Sequence, residues 1–183
     1  MDKAASESDF WLHAAKLEDE RDYLGASSYY LKDASECLKN NSRVKAALSC
    51  SCAANCLSNI GNLTDARQLY LESAMIYEEN ANSIIKESIR ESLWSLQEAY
   101  EHYLLGGNNE KAQKIYDRYV FFARKINPFS GIDELIKDVK MKKRHADSMM
   151  NLSNANHQIS SEIEETIQEF LQMRRSNHPR VER

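Results

Sequence analysis

Apolar residues recur at α-helical spacing along most of this chain. Residues 82–107 show it best, with apolar side chains mainly three or four positions apart. This stripe comprises Ile85, Ile89, Leu93, Leu96, Tyr100, Tyr103 and Leu104. Helical stretches are also predicted at 8–20, 41–61, 132–152 and 159–175. Two prolines and five glycines in 183 residues leave little room for hairpins. The pattern therefore predicts an all-α protein of about eight helices.

A short motif recurs three times and sets the register of these helices. In each copy an alanine is followed four residues later by a tyrosine, which places both on one helix face. The alanines are Ala26, Ala66 and Ala112, and the tyrosines are Tyr30, Tyr70 and Tyr116. Gly61 and Gly107 precede two copies and predict a helix end followed by a chain reversal, since glycine tolerates the left-handed backbone.

The motif predicts three stacked helix-turn-helix units in residues 8–127. The small alanine lets the paired helix approach closely, and the tyrosine fills the next layer. Because one helix pair cannot bury its own apolar faces, such units stack into an antiparallel helix-hairpin array, an α-solenoid. Ser8 and Ser42 are candidate N-caps.

Beyond the repeats, the segment Asn127 to Gly131 contains Pro128 and ends the helix before it. We expect two capping helices in residues 128–175, one of them with Ile132, Leu135, Ile136 and Val139 on one side, the other with Ile159, Ile163, Ile167, Phe170 and Leu171. They are predicted to cover the apolar edge of the third unit, Phe121 and Phe122 included. Residues 176–183 are expected to be a disordered tail.

At the aligned positions the chain resembles the tetratricopeptide-repeat superfamily over about residues 8–126. The small position of the first helix is filled by Ala14 and Ala54, but by Tyr100 in the third unit. The apolar position three residues later holds Leu17, Leu57 and Tyr103. In the first unit, Arg21 stands at the position of the turn glycine. The closing proline is absent. Since the units exceed the usual ~34 residues, they look more like the extended repeats of soluble NSF attachment proteins (SNAPs). The resemblance implies a scaffold that holds other proteins.

Tetratricopeptide arrays build their binding groove mainly from first helices, and the resemblance therefore gives candidate partner contacts. They are Trp11, Ala15 and Asp19 in the first unit, Ser51, Asn55 and Asn59 in the second, and Trp94, Gln97 and Glu101 in the third. The lysines and arginines that hold acidic peptide tails are absent from these positions. We expect a basic or neutral partner segment, helical or extended, anchored by Trp11 and Trp94 if these are exposed rather than buried.

Composition and motifs exclude several other classes. Hydrophobic residues make up 42 % of the chain, enough for a folded core, and the net charge of -4 does not suit a nucleic-acid binder. No apolar run is long enough to span a bilayer, and the N-terminus lacks an apolar signal core, which predicts a cytoplasmic protein. Membrane association through partners and the oligomeric state stay open. Without a phosphate-binding loop or a nucleophile motif, we expect no catalysis and no cofactor.

Two clusters leave alternatives open. Cys50, Cys52 and Cys56, with Cys37 one helix earlier, can be small packing residues, which we favour, or the basis of a metal-binding or redox-sensing domain. The basic segment 140–145 can be a solvated helix face, which we favour, or a contact for an acidic partner or an anionic lipid. The five histidines are expected on the surface or in packing roles.

Overall fold

A computed structural model of the protein describes residues 9–126, 132–151 and 161–177. Within these ranges it contains eight helices and no strand, which confirms the all-α prediction. The helices are α1 (Phe10–Asp19), α2 (Tyr23–Lys39), α3 (Arg43–Asn59), α4 (Leu63–Ile84), α5 (Ile89–Leu105), α6 (Asn109–Ile126), α7 (Ile132–Asn151) and α8 (Ser161–Asn177). None of the described helices is both long and apolar enough to cross a bilayer.

Helices α1 to α6 form an array in which each helix packs against the next. The three alanines of the motif lie at the centre of these contacts and are at most 1 % exposed. Alanine at these positions lets the helix axes approach more closely than a larger side chain would allow. The core accordingly runs through the array, between successive helices.

The turns follow the sequence in part. Gly61 and Gly107 have φ values of 80° and 79°, in the left-handed region that their helix ends require. Arg21 and Asn41 adopt the same conformation at the two earlier turns, with φ of 64° and 59°. Left-handed backbone is uncommon for arginine, yet Arg21 occupies the turn position at which the repeat alignment places it.

Two boundaries differ from the predicted ones, and one predicted cap is present without its side-chain bond. The side chain of Asp9, and not Ser8, accepts the capping hydrogen bond at α1, while Ser42 caps α3 without a side-chain bond. Ser8 itself lies outside the described residues. Helix α4 continues to Ile84, which makes Ile85 its C-cap and not a member of the α5 stripe. The predicted stripe crossed this boundary because Ile85 and Ile89 are four residues apart, although one lies at the end of α4 and the other at the start of α5.

Two of the motif tyrosines reach the first helix of their own unit with their hydroxyl groups. Tyr30 donates to Glu18 Oε2 at 2.8 Å, and Tyr70 donates to Asn55 Oδ1 at 2.5 Å. Tyr116 is half-buried, with its ring 5.8 Å from that of Tyr100. The tyrosine therefore fills the space between helices and, in the first two units, also fixes their spacing with a hydrogen bond.

Helices α7 and α8 lie on different sides of the array. Helix α7 packs chiefly against α5 and less against α6, whereas α8 packs against α2. The stripe of α8 is buried at Ile163, Ile167, Phe170 and Leu171. Of the predicted α7 stripe, Val139 is buried, and the other three side chains, like Ile159, lie outside the description.

The expectation that both helices cover the apolar edge of α6 is wrong. Phe121 remains 55 % exposed and Phe122 is half-buried with α7 and α8 in place. Each helix has its contacts elsewhere: α7 pairs with carboxylates on α5, and α8 packs on α2, where Phe170 and Met173 lie in one cleft with Leu31. Helix α8 includes residues 176 and 177, and the predicted tail at 178–183 lies outside the described residues.

Candidate protein-binding groove

Three of the predicted partner contacts line one cleft. Asn55 of α3 and Gln97 and Glu101 of α5 form one side of it. Asn55 and Glu101 are 46 residues apart, the same separation as Ala66 and Ala112. Because the repeat places equivalent residues of successive first helices next to each other, the sequence register explains this meeting. We call this side of α3 and α5 the groove face.

The opposite side of the cleft belongs to α7. It is formed by Met141, Lys142 and His145. Lys142 Nζ lies 2.7 Å from Glu101 Oε2 and 2.9 Å from Glu98 Oε1. His145 Nδ1 lies 2.5 Å from Glu101 Oε1. The basic segment 140–145 is therefore not only a solvated face, because two of its residues lie against carboxylates.

Burial makes these charges depend on one another. The side chain of Glu101 is only 6 % exposed, and burial alone would raise its pKa. Hydrogen bonds with Lys142 and His145 outweigh this effect and hold the pKa of Glu101 below its ordinary value. In the same way, burial favours neutral Lys142, but Glu101 and Glu98 raise the pKa of its amine. Both groups are therefore ionised at neutral pH, and each compensates the desolvation of the other.

Behind Glu101, a buried histidine completes the support of the cleft. His102 stacks against the rings of Tyr70 and Tyr77, with centroids 5.9 and 5.5 Å away. Burial lowers the pKa of His102 to about 4, so the ring is neutral at pH 7. It is a packing residue, as expected of the histidines, and its charge plays no part in the groove.

Two large apolar side chains are exposed on the same face. Trp94 of α5 is 45 % exposed, with its ring edge-on to Tyr77 at 5.6 Å, and Leu48 of α3 is 43 % exposed. Each precedes Glu101 or Asn55 by seven residues, which is about two helical turns, so all four lie on the groove face. Leu48 was not among the predicted contacts, although it stands 46 residues before Trp94 and the repeat register identifies it.

The remaining candidates do not join the cleft. Trp11 is half-buried, with its ring 5.1 Å from that of Tyr30, and packs against the core. Ser51 is 5 % exposed and donates to the carbonyl of Leu48 in its own helix, so it is not a groove contact. Asp19 and Asn59 are exposed and do not line the cleft, and Ala15 is half-buried.

The cysteines behave as packing residues. Cys50 and Cys56 are fully buried, and Cys50 Sγ lies 3.3 Å from the carbonyl oxygen of Leu69. Burial raises the pKa of Cys52 and of Cys56 to about 12, which keeps both thiols protonated. In the part of the chain that the structure describes, no three histidine, cysteine or acidic side chains gather as metal ligands would. The burial of these cysteines and their protonated thiols are what packing residues show.

Comparison with known proteins does not assign the chain to a family. It matches no protein-family model, no curated protein sequence and no solved structure. The resemblance to tetratricopeptide repeats, and to the extended SNAP-type repeats in particular, therefore stays a prediction that depends on the aligned residues alone.

Proposed function

We propose that the protein is a non-catalytic adaptor whose groove face binds a segment of another protein. The observation that carries this proposal is the exposure of Leu48 and Trp94 at equivalent repeat positions, beside a polar cleft. Tryptophan is among the residues that contribute most to protein–protein binding. Two large apolar side chains on neighbouring helices offer an anchor, and the amides of Asn55 and Gln97 can satisfy polar groups around it.

Charge on this face favours a basic or neutral partner. Glu98 and Glu101 belong to the groove face, whereas the cation that balances them, Lys142, and the hydrogen-bonding ring of His145 come from α7. An acidic tail would meet the carboxylates of Glu98 and Glu101 on α5 rather than the lysines and arginines that it needs. We therefore keep the prediction that the groove does not take an acidic C-terminal peptide.

The wider proposal follows the sequence resemblance. A tetratricopeptide-like array, with or without SNAP-type extension, is a scaffold that presents a binding surface without supplying chemistry. The expected setting is cytoplasmic, and any association with a membrane would be through the bound partner. The stacked helices of α1 to α6 suit this role because they hold Leu48 and Trp94 on rigid elements.

Affinity capture with matched variants tests the proposal. The wild-type chain, the double variant Leu48→Ala/Trp94→Ala and the control Phe121→Ala are immobilised and exposed to the same cell extract. Phe121 is suitable because it is even more exposed, at 55 %, but lies on α6 away from the groove face. We expect a protein that the wild type and the control retain to bind the double variant at least roughly tenfold more weakly. This is the size of effect expected when an anchor residue is lost.

Circular dichroism checks that each variant is folded. A retained protein that binds the double variant as well as it binds the wild type would contradict the assignment of the groove face. If Phe121→Ala lost as much binding as the double variant, removal of any exposed apolar residue would weaken capture. That result would also contradict the assignment of the groove face.

A further inference from the structure

We propose that α7 occupies the groove face as an internal ligand, and that the external partner is a basic amphipathic helix that competes with α7 for Glu98 and Glu101. This inference depends on the proposed function, because it names the partner class and the regulation of the same surface. It is carried by the path of α7, by the buried carboxylates beneath it and by the side chains that α7 presents to them.

The path of α7 is that of a bound helix and not of a fourth repeat. In the array, the first helices α3 and α5 each pack extensively on the second helix before them, α2 and α4, as well as on the second helix of their own unit. Helix α7 makes few contacts with α6 and packs chiefly on α5. Helix α7 therefore lies on the face where a partner is expected and not at the position that a further repeat would take.

The contacts between the two helices advance in step. Lys142 pairs with Glu98 and Glu101, and His145 contacts Glu101. Further along, Met149 and Leu105 line one small cavity. Because later residues of α7 meet later residues of α5, the two helices run parallel. The described side-chain contacts lie along the C-terminal half of α5, and Leu48 and Trp94, nearer the N-terminal ends of α3 and α5, remain exposed.

The carboxylates beneath α7 determine which helix can replace it. The side chains of Glu98 and Glu101 are only 16 % and 6 % exposed under α7. A carboxylate covered by an uncharged helix would lose its hydration without gaining a cation, which is strongly unfavourable. A competing helix must consequently bring a lysine or arginine to the position of Lys142. This requirement selects basic helices and rejects purely apolar or acidic ones.

The side chains around Lys142 define the rest of the recognised pattern. Val139 and Ala146, three residues before and four residues after Lys142, are buried at 1 % and 0 %. They lie on the same helix face as Lys142 and His145, since residues three or four apart are neighbours on a helix. The inferred partner helix therefore presents an apolar residue, a cation three positions later and a small residue four positions after that.

Occupation by α7 regulates access to this surface. A tethered segment competes at an effective concentration of about millimolar, so a partner of ordinary affinity binds the closed chain only weakly. Apparent affinity rises in proportion to the fraction of molecules in which α7 has left the face. Any change that weakens the pairing of Lys142 with Glu98 and Glu101 should thus increase binding in trans.

A peptide of residues 137–151 with the natural sequence tests this directly. Fluorescence anisotropy measures its binding to the full wild-type chain, to Lys142→Glu and to the control Lys143→Glu. Lys143 neighbours Lys142 in the same helix and is exposed, so its reversal changes the net charge equally without touching the carboxylates. We expect the peptide to bind Lys142→Glu at least tenfold more tightly than it binds the wild type or the control.

Specificity is read by adding Glu98→Gln and Glu101→Gln to Lys142→Glu, which should abolish the gain. Equal affinity of the wild type and Lys142→Glu, or a gain that persists without the carboxylates, would overturn the proposal. Should Lys142→Glu unfold by circular dichroism, Lys142→Met keeps the buried stem, removes the charge and gives the same comparison: a gain supports the proposal and no gain overturns it.

Failure here can be separated from failure of the proposed function. The peptide assay involves no cellular partner and reports only whether α7 masks the carboxylates. The capture experiment depends on Leu48 and Trp94, which α7 leaves exposed. If α7 does not mask the carboxylates, the partner can therefore still require Leu48 and Trp94. If α7 masks the carboxylates but capture does not depend on Leu48 and Trp94, only the adaptor proposal is contradicted.

Discussion

At the scale of single residues, the hydrogen bonds of His102 define its protonation. Ser73 Oγ donates its one proton to the carbonyl oxygen of Ala47 at 2.7 Å. It must then accept from His102 Nδ1, 3.2 Å away, which assigns the neutral ring with its proton on Nδ1. This buried network connects α3, α4 and α5 directly beneath the groove face. A second proton on the ring would place a charge in the core without a carboxylate bonded to it.

The stability of the protein should therefore fall in mildly acidic solution. The pKa of His102 is about 4 in the folded chain and 6.5 in the unfolded chain. Between these values the unfolded state binds a proton that the folded state does not, so the free energy of unfolding decreases as pH falls from 6.5 towards 4. The total loss from this group is about 3 kcal/mol at the lower end.

Urea denaturation at pH 7 and pH 4.5 measures the effect, with His102→Gln as the test variant. We expect the difference between the two pH values to shrink by roughly 2 kcal/mol in the variant, since glutamine does not titrate. His13→Gln, at an exposed position, is the matched control. An unchanged difference in His102→Gln would show that other groups cause the acid sensitivity.

At the scale of elements, buried charges attach the two C-terminal helices to the array. Lys142 connects α7 to α5, as described above, and Arg174 connects α8 to α4. Arg174 is 5 % exposed, and its guanidinium donates to Glu72 Oε2 at 3.2 Å and to Glu79 Oε1 at 2.7 Å. The two carboxylates raise the pKa of Arg174 against the opposing effect of burial. The ion pairs specify where α8 docks, because the guanidinium would be costly to bury on any face without acids.

Arg174→Ala should consequently destabilise the protein by about 3 kcal/mol or more, because it leaves two partly buried acids without this cation. Arg175→Ala changes the same charge at the next, exposed position and should cost less than about 0.5 kcal/mol. Chemical denaturation followed by circular dichroism measures both. Similar values for the two variants would contradict the importance of the buried site.

At the scale of the whole molecule, the array is a one-dimensional stack whose interior helices are supported on both sides. Helices α3, α4 and α5 each pack against two consecutive neighbours, whereas α1 packs chiefly against α2. Phe121 remains exposed on α6, so this end of the stack is incompletely covered. Stability in such stacks is the sum of unit and interface contributions, and it therefore declines towards the ends.

Native-state hydrogen exchange should reproduce this gradient. We expect the slowest amide exchange in α3, α4 and α5, and exchange at least tenfold faster in α1, because terminal elements open without unfolding the interior. Mass spectrometry of peptic fragments resolves the helices individually. Uniform protection from α1 to α6 would mean that the array unfolds as a single unit and that the gradient is absent.

Much of the array could be predicted from the sequence because its information is local. Helical periodicity predicted the elements, and the alanine and glycine positions predicted the turns and the close contacts. Asn55 and Glu101 were both predicted as groove contacts, and the separation of 46 residues between the second and third units explains why they line one cleft. Even Leu48 could have been found from this register. Because these features repeat, residues at equivalent positions of successive units lie side by side in the array.

Other features were decided only by the tertiary structure. The exposure of Trp94, the half-burial of Trp11 and the positions of α7 and α8 depend on where the chain returns after residues 127–131 and 152–160. Periodicity shows that these helices have an apolar face, but not which surface covers it. That choice was made by long-range pairs such as Lys142 with Glu101 and Arg174 with Glu79. Such pairs join residues far apart in sequence, and their energy depends on burial that exists only once the array has formed.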